Sequence, residues 1–122
     1  MVYGYVYKSK NVKAIERQKQ MLENSEQHID KIVMEESKNE TLHKLIESLS
    51  KGDKLVVAHR VWLDFMKKSD LIPLQENKIE IITLDGYQSA YFNDEESKGK
   101  YIELIPTAIY KSLKHSMNQY KS

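Results

Sequence analysis

Phosphate chemistry is the first possibility the polar residues of this chain address, and the arginines set its limit. Of 19 basic residues only Arg17 and Arg60 are arginine; the rest are lysine. A guanidinium grips phosphate with a planar fork and stays charged, whereas an ammonium is a mobile point charge. Any mechanism needing several arginines around one phosphate is therefore excluded. The lack of cysteine excludes thiol catalysis, disulfides and thiolate metal sites. His28, His43, His59 and His115 stand far apart without ligand spacing, so no metal and no cofactor are expected. The acidic runs Glu35-Glu36 and Asp94-Glu95-Glu96 read as solvated loops. The four glycines, at 4, 52, 86 and 99, build no phosphate-cradling loop after any strand. The eight tyrosines suit base stacking, but without arginines or a lysine stripe among them they read as strand packing. Trp62 reads either as a core aromatic covering the end of a sheet or as a surface anchor for a partner protein.

These side chains must be carried by one small unit. The 122 residues suit a single domain, 1–122, and a net charge of +1 advertises neither nucleic acid nor anionic lipid. With 40% hydrophobic and 30% charged residues, the composition is that of an ordinary soluble protein. No apolar run approaches the roughly 18 residues needed to span a bilayer. Met1-Val2-Tyr3-Gly4-Tyr5 lacks the basic and apolar segments of a signal peptide, so a cytoplasmic location is expected.

The pattern of elements is alternating. Val2–Tyr7 and Ile29–Met34 read as strands buried on both faces, and Lys54–His59 and Ile79–Leu84 as two more. Asn11 is positioned to cap a helix from Val12 to about Asn24, on which Ala14, Ile15, Gln18, Met21 and Leu22 share a stripe. Leu42, Leu45, Ile46 and Leu49 give Thr41–Ser50 helical period, with Gly52 as a left-handed C-cap. A helix is expected over Phe65–Gln75, bent or ended by Pro73, and a polar loop over Tyr87–Gly99. The last helix is expected from about Lys100 or Pro106 to Tyr120, presenting Ile102, Ile105, Ile109, Leu113 and Met117 as one stripe. Strands alternating with helices predict right-handed crossovers and a parallel sheet.

The ordered set of offsets resembles the catalytic domain of the resolvase/invertase family of serine recombinases. Gly4-Tyr5-Val6-Tyr7-Lys8-Ser9 stands where that family has Gly-Tyr-x-Arg-x-Ser. Gln18 and Leu22 follow at the family's offsets, Gly52-Asp53 precedes a strand as it does there, and Gly99-Lys100 fits the start of the family's long helix. The resemblance covers essentially the whole chain. It implies a resolvase-like (flavodoxin-like) α/β fold: a central, mostly parallel sheet of four to five strands flanked by helices, with a C-terminal helix. It also implies that Ser9 occupies the position of the nucleophile that attacks a DNA phosphodiester while arginines stabilise the developing charge.

The departures fall on those arginines. Tyr7 replaces the one before the serine, Val61-Trp62 an Asp-Arg pair, Phe65 the arginine after it, Asn39 a loop arginine, and Leu113-Lys114 a Glu-Arg pair. Losing one such donor costs roughly 10²–10³ in rate, and losing several removes nearly all acceleration. Lys8, Lys10 and His59 offer charge without the fork. Tyr7, Lys8, Lys10, Gln18, Arg60, Trp62 and Phe65 would thus mark a former active site that no longer does chemistry. Ser9 also suits an N-cap or loop hydroxyl, and Gln18 a buried polar helix residue. Only Lys121 and Ser122 follow Tyr120, so no DNA-binding module is expected and direct DNA binding is expected to be weak or absent. The expected role is a regulatory or accessory protein–protein interaction module linked to recombination or transcription. Its expected partners are a second copy, an active recombinase or a transcription factor, and the Ile102/Ile105/Ile109/Leu113/Met117 stripe is the expected interface. Two alternatives stand beside it: an active small serine recombinase using Ser9 with lysines for arginines, and a flavodoxin-like domain binding a small anion or nucleotide at the strand ends.

Overall fold

The computed structural model describes residues 1–37, 39–64, 66–94 and 99–112. Its elements follow from local chemistry. The β-branched and aromatic run Val2–Val6 is β1, and Lys31–Met34 is β2. Between them α1 spans Val12–Glu23, begun by Asn11, whose side chain accepts from the Lys13 N–H at 3.0 Å. Next come α2, Glu40–Ser48, and β3, Lys54–Val57. A 3₁₀ turn, Arg60–Leu63, leads into α3, Lys68–Glu76, which runs through Pro73. The chain then forms β4, Glu80–Thr83, β5, Tyr87–Asp94, and β6, Gly99–Pro106, before a terminal helix, α4, described over 107–112.

One sheet of six strands carries everything, in the order β2-β1-β3-β4-β5-β6. β2, β1, β3 and β4 run parallel to one another, β5 pairs antiparallel with β4, and β6 antiparallel with β5. One face packs Tyr5, Leu55, Val57 and Ile81 against Leu42, Leu45 and Ile46 of α2 and Leu74 of α3. The opposite face packs Val6 and Val56 against Leu22 of α1. Each fully buried aliphatic side chain contributes about 1.5–3 kcal/mol. Gly4 is needed where α1 approaches β1, because a Cβ there would lie 3.1 Å from Leu22 Cδ1 and 3.2 Å from Ile29 Cγ2.

Four expectations are corrected. The sheet has six strands rather than four to five, because the segment from Tyr87, expected as a loop, forms β5. Of the two starts expected for the last helix, Pro106 lies one residue from the observed start at 107, whereas the stretch from Lys100 is β6 and not helix. Ile102 and Ile105, three apart on a strand, face opposite sides and cannot share a helical stripe with Ile109. Ile102 packs on the α2–α3 core, Ile109 is exposed, and Leu113 and Met117 lie outside the described residues. The helix expected from Phe65 starts at Lys68, after the 3₁₀ turn. Gly52 does take a left-handed φ of 94°, but in the turn before β3; the cap of α2 is Leu49, in extended conformation.

Candidate functional site

Strand order reverses about β1: β2 lies on one side of it and β3 on the other. In open α/β sheets the crevice beyond the C-terminal ends of two such strands is where ligands bind. Here it is bordered by Tyr7-Lys8-Ser9 after β1 and His59-Arg60-Val61-Trp62 after β3. The sequence places Ser9, Tyr7 and Trp62 here, and the fold brings them to one end of the sheet.

The crevice holds stacked aromatics. The Tyr7 and Trp62 rings lie parallel, 3° apart in plane with centroids 4.3 Å apart, and His59 meets Trp62 edge-on at 6.4 Å. Both rings pack against the α2–α3 core, which is the sheet-covering arrangement open to Trp62 from sequence. Offset stacking of this kind adds about 0.5–1.5 kcal/mol beyond area burial. The indole Nε1 is buried and meets no acceptor among the described residues.

Ser9 is held by its own loop. Its Oγ accepts at 3.1 Å from the N–H of Asn11, the α1 cap two residues on. Among the described residues no hydrogen bond joins this hydroxyl to a base, so nothing there draws off its proton. Gln18, only 2% exposed, reaches from α1 to Tyr7, accepting from its N–H at 2.9 Å and donating to its carbonyl at 3.1 Å. That grip fixes the backbone on which the aromatic stack stands.

The remaining cations point elsewhere. Lys8 Nζ donates to the Glu36 carbonyl at 3.0 Å, toward β2. The Arg60 N–H donates to both Asp85 carboxylate oxygens at 3.1 and 3.2 Å, and its guanidinium lies 4.6 Å from the centroid of Tyr87 on β5. β5 is the third strand from β1, which at about 4.8 Å per strand puts it roughly 14 Å away across the sheet. Lys10 is exposed, and Phe65 lies outside the described residues. Tyr7, Trp62, Gln18 and His59 are thus brought together, while Lys8 and Arg60 are drawn off.

Sequence reasoning missed Glu35, which it assigned to a solvated run. It is 5% exposed and accepts five hydrogen bonds. The Tyr5 hydroxyl and Leu42 N–H donate to Oε1 at 2.9 and 3.1 Å; the N–H groups of Glu36, Ser37 and Thr41 donate to Oε2 at 3.0, 3.2 and 3.0 Å. Burial pushes the carboxyl pKa up, but the bonds from Thr41, Leu42, Ser37 and Tyr5 outweigh it and hold the value below the ordinary carboxylate range. Burial, then the bond to Glu35, pushes the Tyr5 hydroxyl far above an ordinary phenol. The one sequence signal was position: an acid just before a helix start, where the dipole favours negative charge.

No family model matches this chain, and no curated protein matches it significantly. Its reading therefore rests on residues and geometry. Among the described residues no three His, Asp or Glu side chains are grouped to hold a metal ion, and no helix is long and apolar enough to cross a membrane.

Proposed function

We propose that this chain is a resolvase-like domain that has lost strand-transfer chemistry and serves as an accessory protein–protein interaction module in DNA recombination or transcription. The observation that carries this reading is the Tyr7–Trp62 stack in the switch-point crevice, beside a Ser9 hydroxyl engaged by Asn11. In the family it resembles, that place needs open, fork-shaped cations; here it holds two rings packed onto the core. The strand order supports the fold part of the reading, since β2-β1-β3-β4 follows flavodoxin-like order and only the added hairpin departs from it. With the chemistry gone, what is left to act is surface. Ile109, 51% exposed on α4, is the apolar residue through which association is proposed, with a second copy or with an active recombinase as partner.

Light scattering behind size-exclusion chromatography tests this, with wild type beside Ile109→Asp and with an active serine recombinase added as probe. The reading expects a dimer or a mixed complex that Ile109→Asp weakens. A monomer in every mixture would refute it.

A further inference from the structure

The sheet has an edge that the proposed site does not use. β2 pairs with β1 alone, leaving its other side without a strand among the described residues. Lys54 donates its N–H to the Met1 carbonyl, so Tyr3 and Tyr5 bond toward β3 and Gly4 and Val6 toward β2. Glu35 donates its N–H to the Val6 carbonyl, and strand alternation turns the N–H groups of Ile32 and Met34 outward, away from β1. Beside this edge runs a groove of about 450 Å³, lined by all four residues of β2, by Glu36 just after it, and by Thr41 and Lys44 of α2, so that its two lysines outnumber its one carboxylate. Its two strand faces differ in chemistry. On the α2 side the exposed cations Lys31 and Lys44 flank Val33. On the other side Ile32 is half-buried and Met34 is 40% exposed.

We infer that the β2 edge is a docking site for an extended segment of a partner protein that alternates acidic with apolar residues. Such a segment adds a seventh strand: its backbone pairs with the outward groups of Ile32 and Met34, its carboxylates face Lys31 and Lys44, and its apolar side chains cover those of Ile32 and Met34. The same lysines select against other occupants. A lone lysine on a four-residue edge discourages unselective pairing, and a second copy would bring the same positive charges to the groove. This inference does not depend on the recombinase-like reading, because it uses neither the crevice nor α4.

The probe is a short synthetic peptide alternating glutamate with isoleucine, titrated into ¹⁵N-labelled protein. A lysine–isoleucine peptide and a backbone N-methylated glutamate peptide serve as controls. Binding should slow exchange of the Ile32 and Met34 amides, N-methylation should abolish it, and the lysine peptide should not bind. Because Lys31 and Lys44 are exposed, Lys31→Glu/Lys44→Glu should keep the native amide spectrum. It should weaken the glutamate peptide about tenfold and favour the lysine peptide instead. Failure of the glutamate peptide to protect these amides, or binding indifferent to the charge reversal, would overturn the inference. So would edge protection without peptide that rises with protein concentration, which would make a second copy the occupant.

Discussion

Replacing Glu35 by glutamine tests the structural logic of the β2–α2 connection most sharply, because it keeps the shape and removes the charge. The carboxylate accepts from five donors, three on one oxygen and two on the other. The amide oxygen can replace one of these oxygens, but the NH₂ group must then face the donors of the other. If it takes the Oε1 position, the Tyr5 hydroxyl can turn to accept from it, but the buried Leu42 N–H loses its acceptor. One orphaned buried donor costs about 1–3 kcal/mol, and downgrading the remaining charge-assisted bonds to neutral ones adds roughly 1 kcal/mol. The loss should therefore be about 2–4 kcal/mol at about pH 7, a large share of a small domain's stability. The sign with pH also follows. The folded pKa of Glu35 lies below its unfolded value, so its contribution is complete above the unfolded pKa and is lost as pH falls through the folded one. Glu35→Gln removes that component, and the gap between variant and wild type should narrow as pH falls through and below the ordinary glutamate range. Urea unfolding followed by far-UV circular dichroism measures both effects. A variant within about 0.5 kcal/mol of wild type, or a gap that does not change with pH, would refute the reasoning.

Three further outcomes follow from the same packing. Gln18→Ala removes the side chain that bridges the Tyr7 N–H and carbonyl and leaves a cavity between α1 and β1, so unfolding should be easier by about 2–3 kcal/mol in urea melts. Gly4→Ala puts a Cβ within 3.1 Å of Leu22 Cδ1, and Leu22 and Ile29 must yield; thermal melts should show a loss of about 1 kcal/mol, without any backbone-conformation term. Tyr7→Ala uncovers one face of Trp62, the sole tryptophan, so its fluorescence should shift to longer wavelength, with about 2 kcal/mol lost in chemical unfolding.

The parallel half of the fold was legible because its residues admit one reading. Leu55-Val56-Val57-Ala58 is too short and too apolar for anything but a strand buried on both faces, and Asn11 starts α1 where a capping residue should. The hairpin was not legible. Ile102-Glu103-Leu104-Ile105 satisfies helical spacing and strand alternation alike, and only pairing with β5 decides between them. Glu35 was missed for a similar reason. Glutamate is normally solvated, and what buries this one is Tyr5 on the neighbouring strand together with the amides that begin α2. The crevice was legible only through a resemblance, as positions where the recombinase family would have arginines and this chain has Tyr7 and Trp62. That these two rings stack became visible only in space, because they stand 55 positions apart in sequence.

The central claim, that the chemistry is gone while the scaffold remains, is tested most directly by incubating the protein with supercoiled DNA. The products are resolved under denaturing conditions for a covalent protein–DNA adduct, with Ser9→Ala in parallel. The account predicts no adduct and no nicking from either protein. A phosphoserine-linked adduct formed by wild type and lost in Ser9→Ala would contradict it.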